Sequence, residues 1–284
     1  MMKVFKNICF LFAFYLILAQ NYVWAQSTKQ VNDSLPLKLH HAEPLYIDLI
    51  RDLGAHKGEQ EWNIGFGLRD KLKYDEYEFL VEYEWAPMHR LGLEVEVPVS
   101  IYSPNRLEST DNRPAHRVES LKTAAQYTFL VSGKRRISLA VGYINALELH
   151  DFDEISTSRV FQGNSYNPFL VGAKQLSSKW HALVYTGPVM HQQFKENHWN
   201  FQYHTNLNLH YMLPHSRNFV GLETNMVSER NSFEAVLRPQ MRLSIMDNLL
   251  LGLVTGVPIS KKNERLSTFM RLIYEPSHKH RQKS

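Results

Sequence analysis

From Trp199 to Tyr211 thirteen residues alternate without a slip, with Trp199, Phe201, Tyr203, Thr205, Leu207, Leu209 and Tyr211 on one parity and Asn200, Gln202, His204, Asn206, Asn208 and His210 on the other. Side chains along a β-strand point to opposite faces with period two, so the segment carries one apolar and one polar face over its whole length. Strands of soluble sandwiches run about 5–6 residues, whereas a tilted strand needs about 9–11 to cross the apolar layer of a membrane. The length of the run is therefore as constraining as its alternation.

Other segments follow the same rule. Tyr77, Phe79, Val81, Tyr83 and Trp85 alternate with Glu78, Glu82 and Glu84, and Leu91 to Ile101 alternates with Gly92, Glu94, Glu96 and Ser100. Phe233 to Ile245 alternates with Glu234, Arg238, Gln240, Arg242 and Ser244. Twelve such segments lie near 61–69, 76–86, 90–102, 119–131, 136–147, 166–176, 180–191, 198–212, 218–227, 232–245, 249–259 and 265–275, those at 136–147 and 166–176 being the least regular. The links at 87–89, 132–135, 177–179, 214–217 and 247–248 are short, and the others are mostly longer, notably 103–118 and 148–165. Alternation of short and long links with an even strand number is the pattern of a bacterial transmembrane barrel with both ends in the periplasm. Trp62, Trp85, Phe129, Trp180, Tyr211 and Tyr274 fall at strand ends on the short-link side, all in the apolar parity, where an aromatic girdle is expected. A soluble lipocalin-like barrel or sandwich also alternates, but its apolar parity points inward; here the other parity holds enough Glu, Asn, Gln, His and Arg to line a wet lumen. The fold expected is all-β, a transmembrane antiparallel up-and-down barrel of about twelve strands over 61–275.

The ends bound this reading. Residues 1–25 have the form of a secretory signal, with Lys3 and Lys6, an apolar stretch from Ile8 to Ala19 and the cleavage site Val23-Trp24-Ala25. Its removal takes Cys9, the only cysteine, and two lysines, lowering the formal charge from +4 to about +2. A near-neutral chain without cysteine is not a nucleic-acid binder and has no disulfide, thiolate metal site or cysteine nucleophile. Residues 26–60 precede the barrel; within them Leu45, Leu49, Ile50 and Leu53 sit at helical spacing, with Pro44 at a first turn and Gly54 at a C-cap. This predicts a short helix over 43–53, periplasmic or plugging the barrel mouth. Residues 276–284 read as a disordered basic tail.

Catalytic signatures are missing: there is no G-x-S-x-G, H-E-x-x-H, Walker loop, G-x-G-x-x-G or EF-hand loop. His198, His204 and His210 share a strand face, but six-residue spacing sets them about 20 Å apart, too far to share an ion. Barrel phospholipases carry a compact His-x-Ser, where this chain has His204-Thr205-Asn206. The strongest constellation is electrostatic. Glu78, Glu82, Glu84, Glu94 and Glu96 face one way on two neighbouring strands, and Lys122, Arg238, Arg242 and Arg271 are candidate inward bases, joined by Arg69. With His204 and Asn206 these are the expected lumen-lining residues. They can pair across a filled lumen or oppose each other across water as a field that orients a polar solute.

The segments HAEPLYIDLIRDLG (His41 to Gly54) and GEQEWNIGFGL (Gly58 to Leu68), with GLEVEVPVSIY (Gly92 to Tyr102), resemble a Gram-negative outer-membrane barrel family marked by the HAEPL-type segment, and through it transport barrels of porin type. The resemblance spans most of 40–275 and carries no catalytic residue across. It implies a channel for small polar solutes, with outer-membrane lipids as neighbours and no cofactor. The alternatives are a closed structural or lipid-interacting barrel with an ion-paired lumen, and a barrel-wall lipid hydrolase.

Overall fold

A computed structural model describes residues 35–47, 49–104, 113–152, 160–230, 232–260 and 264–276. The expected signal segment 1–25 and tail residues 277–284 lie outside them. All twelve alternating segments form strands. In chain order these are β1 (Gln60–Lys71), β2 (Tyr74–Met88), β3 (Leu91–Pro104), β4 (Arg117–Val118), β5 (Ser120–Ser132), β6 (Ile137–Leu149), β7 (Phe161–Gln175), β8 (Trp180–Gln193), β9 (His198–Met212), β10 (Phe219–Glu229), β11 (Ser232–Met246), β12 (Leu249–Pro258) and β13 (Glu264–Tyr274). The two-residue β4 continues along β3 in front of β5, so the wall has twelve staves. Each stave pairs antiparallel with its sequence neighbour, and β1 pairs with β13, which closes the ring. Closure joins the first and last strands of the sheet to each other, so the sheet does not end in free edge strands among the described residues.

The wall is apolar outside and polar inside. Trp62, Ile64 and Phe66 on β1 are 46%, 56% and 38% exposed, whereas Asn63 between them is fully buried. The same division holds on β9, where Phe201, Tyr203, Leu207 and Leu209 are exposed and Asn206, Asn208 and His210 buried. A water-soluble barrel would show the reverse, so the outer surface is matched to hydrocarbon. Trp62 is registered with Tyr274 and Tyr83, and Trp180 with Tyr211, which places the expected girdle residues with Trp85 at the mouth where β1 begins and β13 ends. Trp62 packs on Tyr83 at 4.5 Å, Tyr83 stacks on Trp85 at 5.4 Å, and Trp180 meets Tyr211 edge-on at 5.1 Å. This is the terminal mouth, and the opposite one is the far mouth.

The five links expected to be short are all short, and Arg90, Arg136 and His215 take positive φ in their turns. At the far mouth the expectation of mostly long links is only partly met: β1 joins β2 through Leu72-Lys73, and β8 joins β9 through 194–197. β2 and β9 run 15 residues each, beyond the membrane layer, so their hairpins close tightly in solvent.

The helix expected over 43–53 does not form in the described residues, which are bends and turns. Its apolar residues diverge instead of sharing a face. Ala42 and Leu45 pack with Phe219, Leu250, Val254, Phe269 and Ile273 on one side of the lumen, and Leu49, Ile50 and Leu53 with Ala124, Ala140, Phe169, Val171 and Leu183 on the other. Backbone donors are satisfied sideways. Ala42 N–H donates to His181 Nδ1 at 2.9 Å, Leu45 N–H to Gln240 Oε1 at 2.9 Å, Ile47 N–H to Glu223 Oε1 at 3.1 Å and Gly54 N–H to Thr128 Oγ1 at 2.9 Å. With wall side chains accepting these bonds, helical i→i−4 bonds lose their advantage. Gly54 does take a positive φ of 85°, in a turn rather than at a cap.

Candidate functional site

Segment 37–55 crosses the lumen and divides it. Toward the far mouth lies a cavity of about 330 Å³ floored by Tyr46, Ile47 and Ile50; toward the terminal mouth lies one of about 500 Å³ bordered by His41, Glu43, Arg51 and Asp52. Because Leu45, Leu49, Ile50 and Leu53 are each at most 2% exposed, the segment is packed as tightly as a soluble core. Tyr46 is held on three sides: Arg69 donates to its hydroxyl at 2.8 Å, the Arg238 guanidinium lies 3.4 Å from its ring centre, and Phe269 meets it edge-on at 5.9 Å. Close approach of Arg51 and Ile50 to the wall requires glycine at 92, since a Cβ there would stand 2.5 Å from Arg51 Cβ and 2.6 Å from the Ile50 carbonyl oxygen.

Four of the five expected acidic lumen residues are deeply buried: Glu82, Glu84, Glu94 and Glu96 are 0–5% exposed, and Glu78 is half-buried. They share the wall with Glu61 and Asn63. The Asn63 amide nitrogen donates to Glu82 at 2.7 Å, Glu84 at 3.0 Å and Glu61 at 3.1 Å, tying three carboxylates together. Lys122 donates to both oxygens of Glu96 at 2.7 Å, Arg271 reaches Glu82 at 3.4 Å, and Arg69 pairs with Glu78 at 2.6 Å. Arg51, from the crossing segment, pairs with Glu61 at 2.7 Å and Glu84 at 3.2 Å. Acid and base thus pair across the wall more than they oppose each other across water. Elsewhere, Arg238 donates to Asn225 at 2.6 Å and Ser267 at 3.0 Å, Asn206 accepts from Asn225 at 2.7 Å, and His204 lines the far cavity beside Gln202. Arg242 faces the terminal cavity, 4.0 Å from Glu43 and donating to the Arg217 carbonyl at 3.2 Å.

Sequence reasoning missed Arg51, Glu61, Asn63 and Glu223. Glu61 and Asn63 were readable as the polar parity of the first strand. Arg51 and Glu223 were not, because their roles depend on the crossing segment. His204 and Thr205 occupy opposite parities, and the Thr205 hydroxyl bonds to Thr186 at 3.2 Å, so they do not form a histidine–hydroxyl pair in the lumen.

On the terminal side the crossing segment has its own ion pairs. Lys38 bridges Asp52 at 2.5 Å and Glu59 at 2.7 Å. Burial would raise the Asp52 carboxyl, but Lys38 and Arg51 outweigh it and hold the group well below the usual range. Burial, with Asp52 beside it, pushes the Glu43 carboxyl up. His41, bonded through Nε2 to Ser138 Oγ at 2.9 Å, is lowered to about 4 by burial and by His181 and His40.

Three solved outer-membrane barrels share this architecture. An outer membrane channel from Pseudomonas putida F1 aligns at 10% identity with a TM-score of 0.63, over 81% of this chain and 99% of that one. The NanC porin aligns at 8% with a TM-score of 0.51, over 75% and 98%. The KdgM porin, solved in complex with disordered oligogalacturonate, aligns at 12% with a TM-score of 0.50, again over 75% and 98%. At these identities the likeness is one of fold. No curated protein matches the chain by sequence. The HAEPLYID-like family model matches residues 37–275, from the crossing segment through the last strand, and the chain therefore belongs to the HAEPLYID-like family.

Proposed function

We propose that this protein is a porin-like channel for small polar solutes in a Gram-negative outer membrane, with its lumen closed by residues 37–55. The observation that carries the reading is the division of the wall: an apolar exterior around a buried polar interior, with cavities on both sides of the crossing segment. A lumen lined by carboxylates, guanidinium groups and amides lowers the cost of desolvating a polar solute and repels an apolar one. In this reading Glu78, Glu82, Glu84, Glu94, Glu96, Lys122, His204, Asn206, Arg238, Arg242 and Arg271 line the path. Trp62, Trp85, Trp180, Tyr211 and Tyr274 anchor the terminal mouth at the inner lipid interface. That mouth faces the periplasm, residues 1–25 being a cleaved export signal. The fold shared with the NanC porin and with the KdgM porin, the latter solved in complex with oligogalacturonate, supports the channel reading.

Conductance of the purified full chain in a planar bilayer, beside a variant lacking residues 37–55, tests the proposal. The full chain is expected to be mostly silent and the deletion to conduct steadily. A second reading, a sealed barrel with a structural lumen, is favoured by the pairing of Arg51 with Glu61 and Glu84 and of Lys122 with Glu96. Under it the deletion loses stability and gains no conductance.

A further inference from the structure

Five buried carboxylates, Glu61, Glu82, Glu84, Glu94 and Glu96, are met by three cations, Arg51, Lys122 and Arg271. The next charges outward do not make up the difference among the described residues, because Arg69 is engaged by Glu76 and Glu78, Lys38 by Asp52 and Glu59, and Arg217 by Glu275. With all five ionised, two negative charges would be left over among largely buried groups, where an uncompensated charge is expensive. The excess is localised. Glu82 Oε2 is buried and receives no hydrogen bond from a nitrogen or hydroxyl donor among the described residues. Glu94, 3% exposed, lines the far cavity and receives no hydrogen bond among the described residues; the cation acting on it is Lys122, whose ammonium group is bonded to Glu96. One ligand oxygen from each of Glu82, Glu94 and Glu96 lies within 4.8 Å of the others. An ion of Ca²⁺ size holds oxygens at about 2.3–2.6 Å, so small side-chain adjustments would bring all three onto one ion.

We propose that Glu82, Glu94 and Glu96 form a binding site for a hard divalent cation of Ca²⁺ type at the floor of the far cavity. The two leftover charges match one such ion, and all-oxygen ligation suits it. Lys122, whose ammonium group holds both oxygens of Glu96, competes with the metal. The site does not depend on whether the lumen conducts.

The test uses the full chain in detergent at pH 8, titrated with Ca²⁺ by calorimetry and with Tb³⁺ by luminescence sensitised through tyrosine, Tyr185 lining the same cavity. One Ca²⁺ per chain is expected, displacing Tb³⁺ and raising the unfolding temperature. Glu94→Gln, nearly isosteric, should weaken binding at least tenfold. Lys122→Met should tighten it several-fold, a gain that loss of fold cannot mimic. Glu82→Gln stands in for Glu94→Gln if the latter does not fold. Absence of Ca²⁺ binding, or binding equal in wild type and the glutamine variant, overturns the proposal. So does binding of ethylammonium without Ca²⁺, which would make the carboxylates a seat for an organic ammonium group.

Discussion

Gly92 offers a way to unseat the crossing segment without touching its sequence. In Gly92→Val the new Cβ would meet Arg51 Cβ at 2.5 Å and the Ile50 carbonyl oxygen at 2.6 Å, against ordinary contacts of 3.4 Å or more. A backbone carbonyl cannot rotate away as a side-chain end can, so the segment must shift bodily. Overpacking of this kind costs about 1–3 kcal/mol. That cost falls only on the seated state, since the wall in the unseated state has open lumen at this point. The seated-to-unseated ratio should therefore drop about 5- to 150-fold. Single-channel recording measures this directly as open time. Gly172→Val is the control, its Cβ meeting Leu139 at 3.2 Å away from the segment. Gly92→Val is expected to open at least five times more often than wild type, and the control to match wild type. Equal open times in the two variants, with both barrels intact by heat-modifiable migration, would refute the idea that segment 37–55 is the barrier.

Three further outcomes follow from the same geometry. Arg51→Ala leaves Glu61 and Glu84 without their cation and should destabilise the protein by about 3–5 kcal/mol, the range for breaking a buried pair; a thermal-melt loss under about 1 kcal/mol would contradict that pairing. Phe66→Arg puts a charge among Phe79 and Met270 on the lipid face and should cost about 2–4 kcal/mol of folding in bilayers but little in denaturant-free detergent of high polarity, and indifference in bilayers would argue against a membrane-facing wall. His41 refuses a proton down to about pH 4 when seated, while a released imidazole accepts one near about pH 6.5. Seating thus keeps its full histidine contribution above about pH 6.5 and loses up to tenfold per pH unit below it, so open time should rise more steeply between pH 6.5 and 4 in wild type than in His41→Gln, and parallel curves would remove His41 from the account.

The staves were legible because a membrane barrel writes its fold into each strand. Lipid outside and water or polar groups inside act on every second residue, so alternation such as that of β9 needs no tertiary context to be read. Even the irregular segments 136–147 and 166–176 became β6 and β7, held by the neighbours on either side. The crossing segment was different. Its spacing of Leu45, Leu49, Ile50 and Leu53 fits a helix in isolation, and only the acceptors Gln240, Glu223, His181 and Thr128, supplied by distant strands, make the irregular path cheaper. The acidic wall could be placed by parity, but its partners could not: Arg51 arrives from the crossing segment, and Lys122 selects Glu96 through the β3–β5 register.

The ring is completed by β1 meeting β13, the last strand made, while the segment inside it precedes β1. Leu45 bonds to Gln240 across 195 residues of chain. The lumen therefore has to close around its own leader or be threaded by it afterwards. A mandrel already bearing acceptor-seeking amides and apolar side chains would gather the late strands as they arrive, tying the speed of insertion to residues that never touch lipid.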